Sequence, residues 1–261
     1  MDENHLLKEK YRKHSRTFAK YRKVMPLQPL EVLEMDIKFV WVEEHRRHAF
    51  ILTVIDTFTR VVLYRQVAYQ FKQGQVKRAW EYIIENYLQP LDCLNRKIHI
   101  EVRNDNDSRF AAKLVQQFFI DNKLNQVFTH PYTPQENGHI ESFHAILAQM
   151  LNRYSFWSLE QVEHCLVQFY DKYNNQRLHS STAFLPPVVF WKCWQDGLIE
   201  TKINEKCKSI KFKLTIPYHQ LSGIMSRKEV PCSQTTTLDG LEFGQNILEM
   251  IGAETSLQLS V

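Results

Sequence analysis

Cysteine is too scarce and too badly spaced to organise this chain. The five cysteines, Cys93, Cys165, Cys193, Cys207 and Cys232, are an odd number and form no C-x-x-C pair. Both a disulfide scaffold and a zinc ribbon are therefore poor fits, and a reducing cytoplasm is the expected setting. Long apolar runs are also missing. No stretch of 18 apolar residues occurs, so no membrane-spanning helix is expected. The N-terminus has no apolar core before a cleavage site, so no secretory signal is read there. What remains is an ordinary globular composition, 44% hydrophobic and 24% charged over 261 residues. That length suits one large domain with an appendage, or two domains.

Net charge is only +4, but it is unevenly placed. Residues 1–30 hold Lys8, Lys10, Arg12, Lys13, Arg16, Lys20, Arg22 and Lys23 against three acids, and the rest of the chain is nearly neutral. A basic arm on a neutral body reads as a phosphate-contacting segment or as a solvated surface helix. Tyr11, Phe18 and Tyr21 interleave its charges, and can dock the arm or stack on bases. Pro26 and Pro29 close it.

Period-two alternation of Met35, Ile37, Phe39 and Trp41 with Glu34, Asp36 and Lys38 predicts a strand over 33–42. Further strands are expected at 49–55, a near-continuous apolar run, and at 60–68, giving an antiparallel meander. Helical spacing of Val76, Ala79, Trp80, Ile83 and Ile84 follows. Then come a short strand at 98–102, a helix at 110–120, a brief strand at 127–128, a Pro-containing loop at 130–138, and helices from Ile140 and over 159–173. The order βββαβαβαα implies a mixed sheet covered by helices on both faces. Trp157 and Trp194 are expected to fill core gaps. After Gly197 a strand at 210–216 alternates apolar residues with lysines, inside a lysine-rich stretch from Lys202 to Lys213.

Three carboxylates stand out by position. Asp36 lies mid-strand, Asp105 follows a strand, and Glu141 opens a helix. Acids converging from strand and helix ends repel one another unless a cation neutralises them, and hard oxygen ligands suit Mg²⁺ or Mn²⁺.

The words around these acids resemble the D,D(35)E signature of retroviral-type integrases and insertion-sequence transposases. Thirty-five residues separate Asp105 from Glu141. Arg103 to Phe110 (RNDNDSRF) is similar to the family's S-D-N-G-x-x-F. His130 to His144 (HPYTPQENGHIESFH) resembles its Y-x-P-Q-x-N-G-x-x-E. Tyr173 to His179 (YNNQRLH), followed by Pro187, resembles Y-N-x-x-R-x-H…P, and Asp56 to Arg60 resembles D-x-x-[ST]-R. The resemblance covers about residues 30–195. Two positions depart from it: Asn104 replaces a small hydroxyl residue, and Asp107 replaces a glycine that permits positive φ and close backbone approach. The first 30 residues contain two histidines and no cysteine, so the His-His-Cys-Cys zinc domain of retroviral integrases is absent from them.

The resemblance implies a ribonuclease H-like α/β fold, with a basic arm over 1–30, a catalytic core over 31–197 and a small β-rich segment over 198–261. It implies a transposase or integrase that cuts DNA and transfers strands. Two Mg²⁺ or Mn²⁺ ions, about 3.5–4 Å apart, would be held by Asp36, Asp105 and Glu141 and would serve an in-line displacement. The expected partners are DNA ends, target DNA and further copies of the chain, with no membrane and no small-molecule substrate. Besides the arm, Gln135, Asn137, His144 and Arg177 are the expected DNA contacts. The alternatives for the same residues are helix capping by Asn137, a surface role for His144, and for Arg177 and His179 a tie between the last helix and the sheet. A plain metal-dependent nuclease and a DNA-binding derivative without activity are the alternative functions.

Overall fold

The computed structural model describes residues 16–20, 24–95, 98–131, 133–204 and 209–221. Five strands form one sheet: β1 (Val32–Val42), β2 (Arg47–Asp56), β3 (Val62–Ala68), β4 (Glu101–Asn104) and β5 (Asn125–Phe128), in the order β3-β2-β1-β4-β5. The first three are the expected antiparallel meander, while β4 and β5 run parallel to β1. This mixed sheet, with helices on both faces, is the ribonuclease H-like arrangement.

The helices are α1 (Gln73–Ile83), α2 (Lys113–Asp121), α3 (Gly138–Leu151), α4 (Leu159–Asn175) and α5 (Pro187–Gln195). One face of the sheet buries Met35, Ile37, Leu52 and Val54 against Val76, Trp80 and Ile83 of α1 and Val115 and Phe119 of α2. The other buries Val40, Ile51, Ile55 and Val67 against Ile140, Phe143 and Leu147 of α3 and Val162, Leu166 and Tyr170 of α4. Each helix contributes an apolar stripe at three- and four-residue spacing, so burial of those stripes is the main force holding the layers together.

Several expectations shift. The fourth strand begins at Glu101 rather than at 98, where pairing with Val32 of β1 starts. Strand β3 begins at Val62, because Arg60 has φ 67° and belongs to the preceding turn. Helix α5 was not expected; its Pro186-Pro187 start resembles a breaker, yet proline is well suited to the first helical turn. Trp157 is exposed, not a core filler. Trp194 is partly buried and packs edge-on at 4.7 Å against Phe58.

The strand expected at 210–216 is β7 (Ser209–Leu214), paired antiparallel with β6 (Ile199–Asn204). Its inner face does not stand apart from the core. Ile199, Leu214 and Leu221 are buried with Phe58, Leu185, Val189 and Phe190, and Phe212 lies against both Phe58 and Phe190 at 4.9 Å. The outer face presents Lys202 directly opposite Lys211, next to Lys213. Of the basic arm, Lys8, Lys10, Arg12, Lys13, Arg22 and Lys23 lie outside the described residues. The described part docks on the sheet edge: Ala19 N donates to Phe128 O and Phe128 N to Thr17 O.

Candidate active site

Register brings the first two acids together. Along the parallel β1–β4 pair, Met35 faces Asn104, so the next residues, Asp36 and Asp105, are neighbours at the carboxyl end of β4. On the other side Asn104 faces Phe128 of β5, and the chain leaves the sheet into the 130–137 loop. That loop ends in a 3₁₀ turn, Pro134–Asn137, which feeds α3 and places Glu141 in its first turn. Asp36, Asp105 and Glu141 thus line one open cleft of about 380 Å³, with Asn106, Thr129, His130, Thr133 and Asn137. In open α/β sheets the ends of parallel strands are the usual place for a site.

The acids sense one another. Burial raises the carboxyl of Asp105 above the ordinary range, and the charges of Asp36 and Asp107 push the same way. Burial likewise raises Glu141, with Asp36 and Glu34 adding repulsion. Removing such repulsion is what a bound cation does. The donor chemistry of three carboxylates fits a hard divalent ion. Among the described residues, however, no three acid, histidine or cysteine side chains stand close enough to form a ready-made metal cluster. The acids share a cleft without converging on one point.

Asp36 has further partners. Its Oδ1 accepts from Ile37 N at 2.7 Å, and its Oδ2 lies 3.2 Å from Nδ1 of His144, one turn along α3 from Glu141. His144 is buried, with Nε2 lacking a partner among the described residues. This corrects the expectation of a surface histidine: α3 turns the ring inward onto the first acid. The two departures in the motif also find their places. The backbone at Asp107 is not left-handed, so no glycine is needed there. Its carboxylate bonds Arg109, by the backbone N and by Nε at 2.8 Å each, which lowers its pKa. Asn104 is fully buried; its side chain donates to Asp105 O and accepts from Gln126 Nε2.

The loop before Glu141 is tied at both ends. Buried Glu136 accepts from His130 N at 2.7 Å, and its carbonyl accepts from Arg103 Nη1 at 3.1 Å. Gln135 is exposed on this loop, outside the cleft lining. Asn137 is buried in the cleft wall with Oδ1 unpartnered among the described residues, and its side chain does not cap α3. The cap comes from elsewhere. Oε2 of Glu34 accepts from Ile140 N at 2.7 Å, and Oε1 lies 2.9 Å from His139 Nδ1. Glu34 is fully buried, and burial pushes its pKa up to about 7 against the opposing pull of Ile140 N, Arg60 and Arg103.

Residues of two further motifs make internal contacts. Asp56 is buried and accepts from the backbone of Leu30, Phe58 and Thr59 and from the Thr59 hydroxyl at 2.6 Å, closing the β2–β3 turn. Asn174 pairs with both backbone groups of Val62, pinning α4 to β3, and the Tyr173 ring meets His179 edge-on at 4.8 Å. Arg177 is exposed and does not line the acid cleft. At the arm, Arg16 Nη1 donates to Asn106 Oδ1 at 3.0 Å and Phe18 stacks on His130 at 5.2 Å, so both touch residues of the cleft wall. Lys20 is exposed. No helix among the described residues is long and apolar enough to cross a membrane.

Parts of the chain are similar to known families and proteins. One integrase core domain model matches residues 26–134 and a second matches residues 122–187. A protein of insertion element IS476 from Xanthomonas euvesicatoria, uncharacterised and of 39.2 kDa, is 28% identical over 191 residues. That match takes in 72% of this chain but 52% of the relative, so the chain spans about half the length of that protein. Among solved structures, the BIV integrase catalytic core domain is 19% identical, covering 64% of this chain and 97% of that one, with a TM-score of 0.47. The HTLV-2 integrase catalytic core domain solved with magnesium is 16% identical over 59% and 92%, TM-score 0.42. The catalytic domain of the Mos1 mariner transposase is 15% identical over 54% and 70%, TM-score 0.46. Between them the two models span residues 26–187, and over that stretch the chain belongs to the integrase core domain family.

Proposed function

We propose that this chain is a transposase that cuts DNA at element ends and joins them to a target, with Asp36, Asp105 and Glu141 as its catalytic and metal-holding residues. The observation that carries the reading is one open cleft lined by three carboxylates, from β1, the end of β4 and the first turn of α3. Two of them are held uncomfortably close to the negative charge of Asp36. Two Mg²⁺ or Mn²⁺ ions bound there supply charge neutralisation, water activation and stabilisation of the leaving 3′ oxygen.

The rest of the work falls to the chain itself. The cleft is open, as a polymer threading past the acids requires. Asn137 presents a buried acceptor to it, and Gln135 stands on the exposed turn beside it, where each can bond a DNA end. The arm and the Lys202–Lys211–Lys213 face supply phosphate contacts that are largely independent of sequence. No nucleophilic side chain is required, so cleavage and joining use one site with water or a DNA 3′-OH as nucleophile. Joining two ends to one target calls for two such sites, so the chain works as a dimer or larger assembly on DNA, in the cytoplasm where that DNA lies.

The test is to incubate the protein with candidate element ends, a target plasmid and Mg²⁺. Joined products support the proposal. Nicks without joining identify a plain nuclease, and binding without either reaction identifies an inactive derivative.

A further inference from the structure

Glu34 is an odd residue to bury. It sits two residues before Asp36 on β1, so both side chains leave the same face of the strand. Helix α3 covers that face, and Glu34 is left with no exposure at all. A carboxylate in that position is costly unless hydrogen bonds and positive charge offset its desolvation. The charges of Arg60 and Arg103 supply part of the offset, and both direct contacts come from the start of α3: Ile140 N donates to Oε2 at 2.7 Å and His139 Nδ1 lies 2.9 Å from Oε1. The helix-start amides favour a negative partner, and the usual supplier, the residue at the cap position, is not used, since the Asn137 side chain caps nothing. The residue gripped by Glu34, Ile140, immediately precedes Glu141.

We infer that Glu34 is a positioning residue: by clamping the first turn of α3 to β1, it sets where Glu141 stands relative to Asp36 and so how tightly the acids hold a divalent ion. The inference rests on the three-acid reading above. Its logic is geometric. Asp36 is carried by the strand and Glu141 by the helix, and the Glu34 clamp joins those two elements one residue from one acid and two residues from the other. Partners behind the ligands of metal sites typically change affinity 10–100-fold when removed.

The experiment measures Mn²⁺ binding directly, by electron paramagnetic resonance of the free ion, in the full chain without DNA. Circular dichroism and thermal unfolding run alongside. Asp36→Asn controls for the site itself and loses at least tenfold in affinity. Glu34→Gln keeps an acceptor for Ile140 N at the same reach and binds Mn²⁺ within about threefold of wild type. Glu34→Asp keeps the charge but falls a methylene short, and loses at least tenfold. A residue that acts only through stability gives affinities that follow melting temperature instead, and that pattern overturns the inference. So does a folded Glu34→Asp with wild-type affinity. Should Glu34→Asp fail to fold, His139→Ala decides: removing one of the two contacts lowers affinity about threefold if the clamp matters, and unchanged affinity overturns it. If Asp36→Asn itself binds Mn²⁺ normally, it is the three-acid reading that fails.

Discussion

The imidazole of His144 lies 3.2 Å from the carboxylate of Asp36, inside the layer between α3 and the sheet. Helix α3 therefore reaches the first acid with His144 and the cleft with Glu141, two side chains three residues apart on one helical face. A donor so placed holds the Asp36 carboxylate in one orientation while leaving its other oxygen bonded to Ile37 N. His144→Ala is expected to slow strand transfer about tenfold without abolishing it, since the three acids remain. A rate within twofold of wild type at saturating Mg²⁺ would show that the contact does not orient Asp36.

The acids themselves are expected to behave differently. Asp36→Asn, Asp105→Asn and Glu141→Gln each abolish joining, by about 10³-fold or more, while the fold survives. Because Asp105 and Glu141 sit in repulsive surroundings, Asp105→Asn and Glu141→Gln should melt at the same temperature as wild type or slightly higher in EDTA. Activity retained by any one variant removes that residue from the site.

That the three acids share a cleft was legible from their places, Asp36 within a strand, Asp105 just after one and Glu141 at a helix start, and from a spacing that resembles a known signature. Glu34 was not. In the sequence it alternates with apolar residues exactly as Asp36 and Lys38 do, and alternation alone assigns it to a solvent-facing side. Only the packing of α3 over that side turns a surface carboxylate into a buried clamp. His144 was misplaced for the same reason, since a helical period says which residues share a face but not which face meets the sheet. Helix α5 was hidden by its two prolines. The pairing of β6 with β7, and their anchoring on Phe58 and Phe190, depend on contacts distant in sequence.

That anchoring predicts how the C-terminal hairpin contributes. Ile199 and Leu214 are buried against the core, and Phe212 packs between two core rings. At roughly 1.5–3 kcal/mol for each buried apolar side chain, removing residues 198–261 costs the fold about 5 kcal/mol, a large share of an ordinary domain's stability. The truncated protein should therefore melt far lower or fail to fold. Leu214→Ala should lower the single unfolding transition of the whole chain by about 2–3 kcal/mol in urea. A separate early transition in wild type, unaffected by Phe58→Ala, would mean that the hairpin folds on its own.

Salt titration locates the phosphate contacts. Deleting residues 1–15 removes Lys8, Lys10, Arg12 and Lys13 but keeps the docked stretch at Thr17–Ala19. Each cation that touches a phosphate contributes about 0.9 to the slope of log K against log salt. The deletion should flatten that slope by up to about 4. An unchanged slope, combined with a flattened one in Lys202→Ala/Lys211→Ala/Lys213→Ala, would move the contacts to the outer face of the β6–β7 hairpin.

One buried and one half-buried group make opposing demands on pH. Glu34 titrates near 7 in the fold and near 4.5 when unfolded. Between those values the unfolded chain has released a proton that the folded chain still holds, so stability is full below about pH 4.5 and declines as pH rises to 7. His179 is the reverse case. Burial, with help from Arg177 and Arg60, pulls it down to about 4 from 6.5, and its Nε2 has no partner among the described residues. There the unfolded chain takes up a proton that the folded chain refuses, so stability declines as pH falls from 6.5 to 4. Each displacement corresponds to about 3 kcal/mol; for His179, which is only partly shielded, solvent screening reduces this to about half. Over pH 4.5–6.5 the two slopes oppose each other, and their contributions partly cancel in wild type. Single variants should uncover them. In EDTA, urea unfolding of Glu34→Gln should show stability rising more steeply with pH than wild type across this window, and His179→Asn should show it falling more steeply. If Glu34→Gln instead tracks wild type from pH 4.5 to 7, the carboxyl of Glu34 titrates no higher in the folded chain than in the unfolded one, and the cost of burying it is met in full by its bonds to Ile140 and His139 and the charges of Arg60 and Arg103.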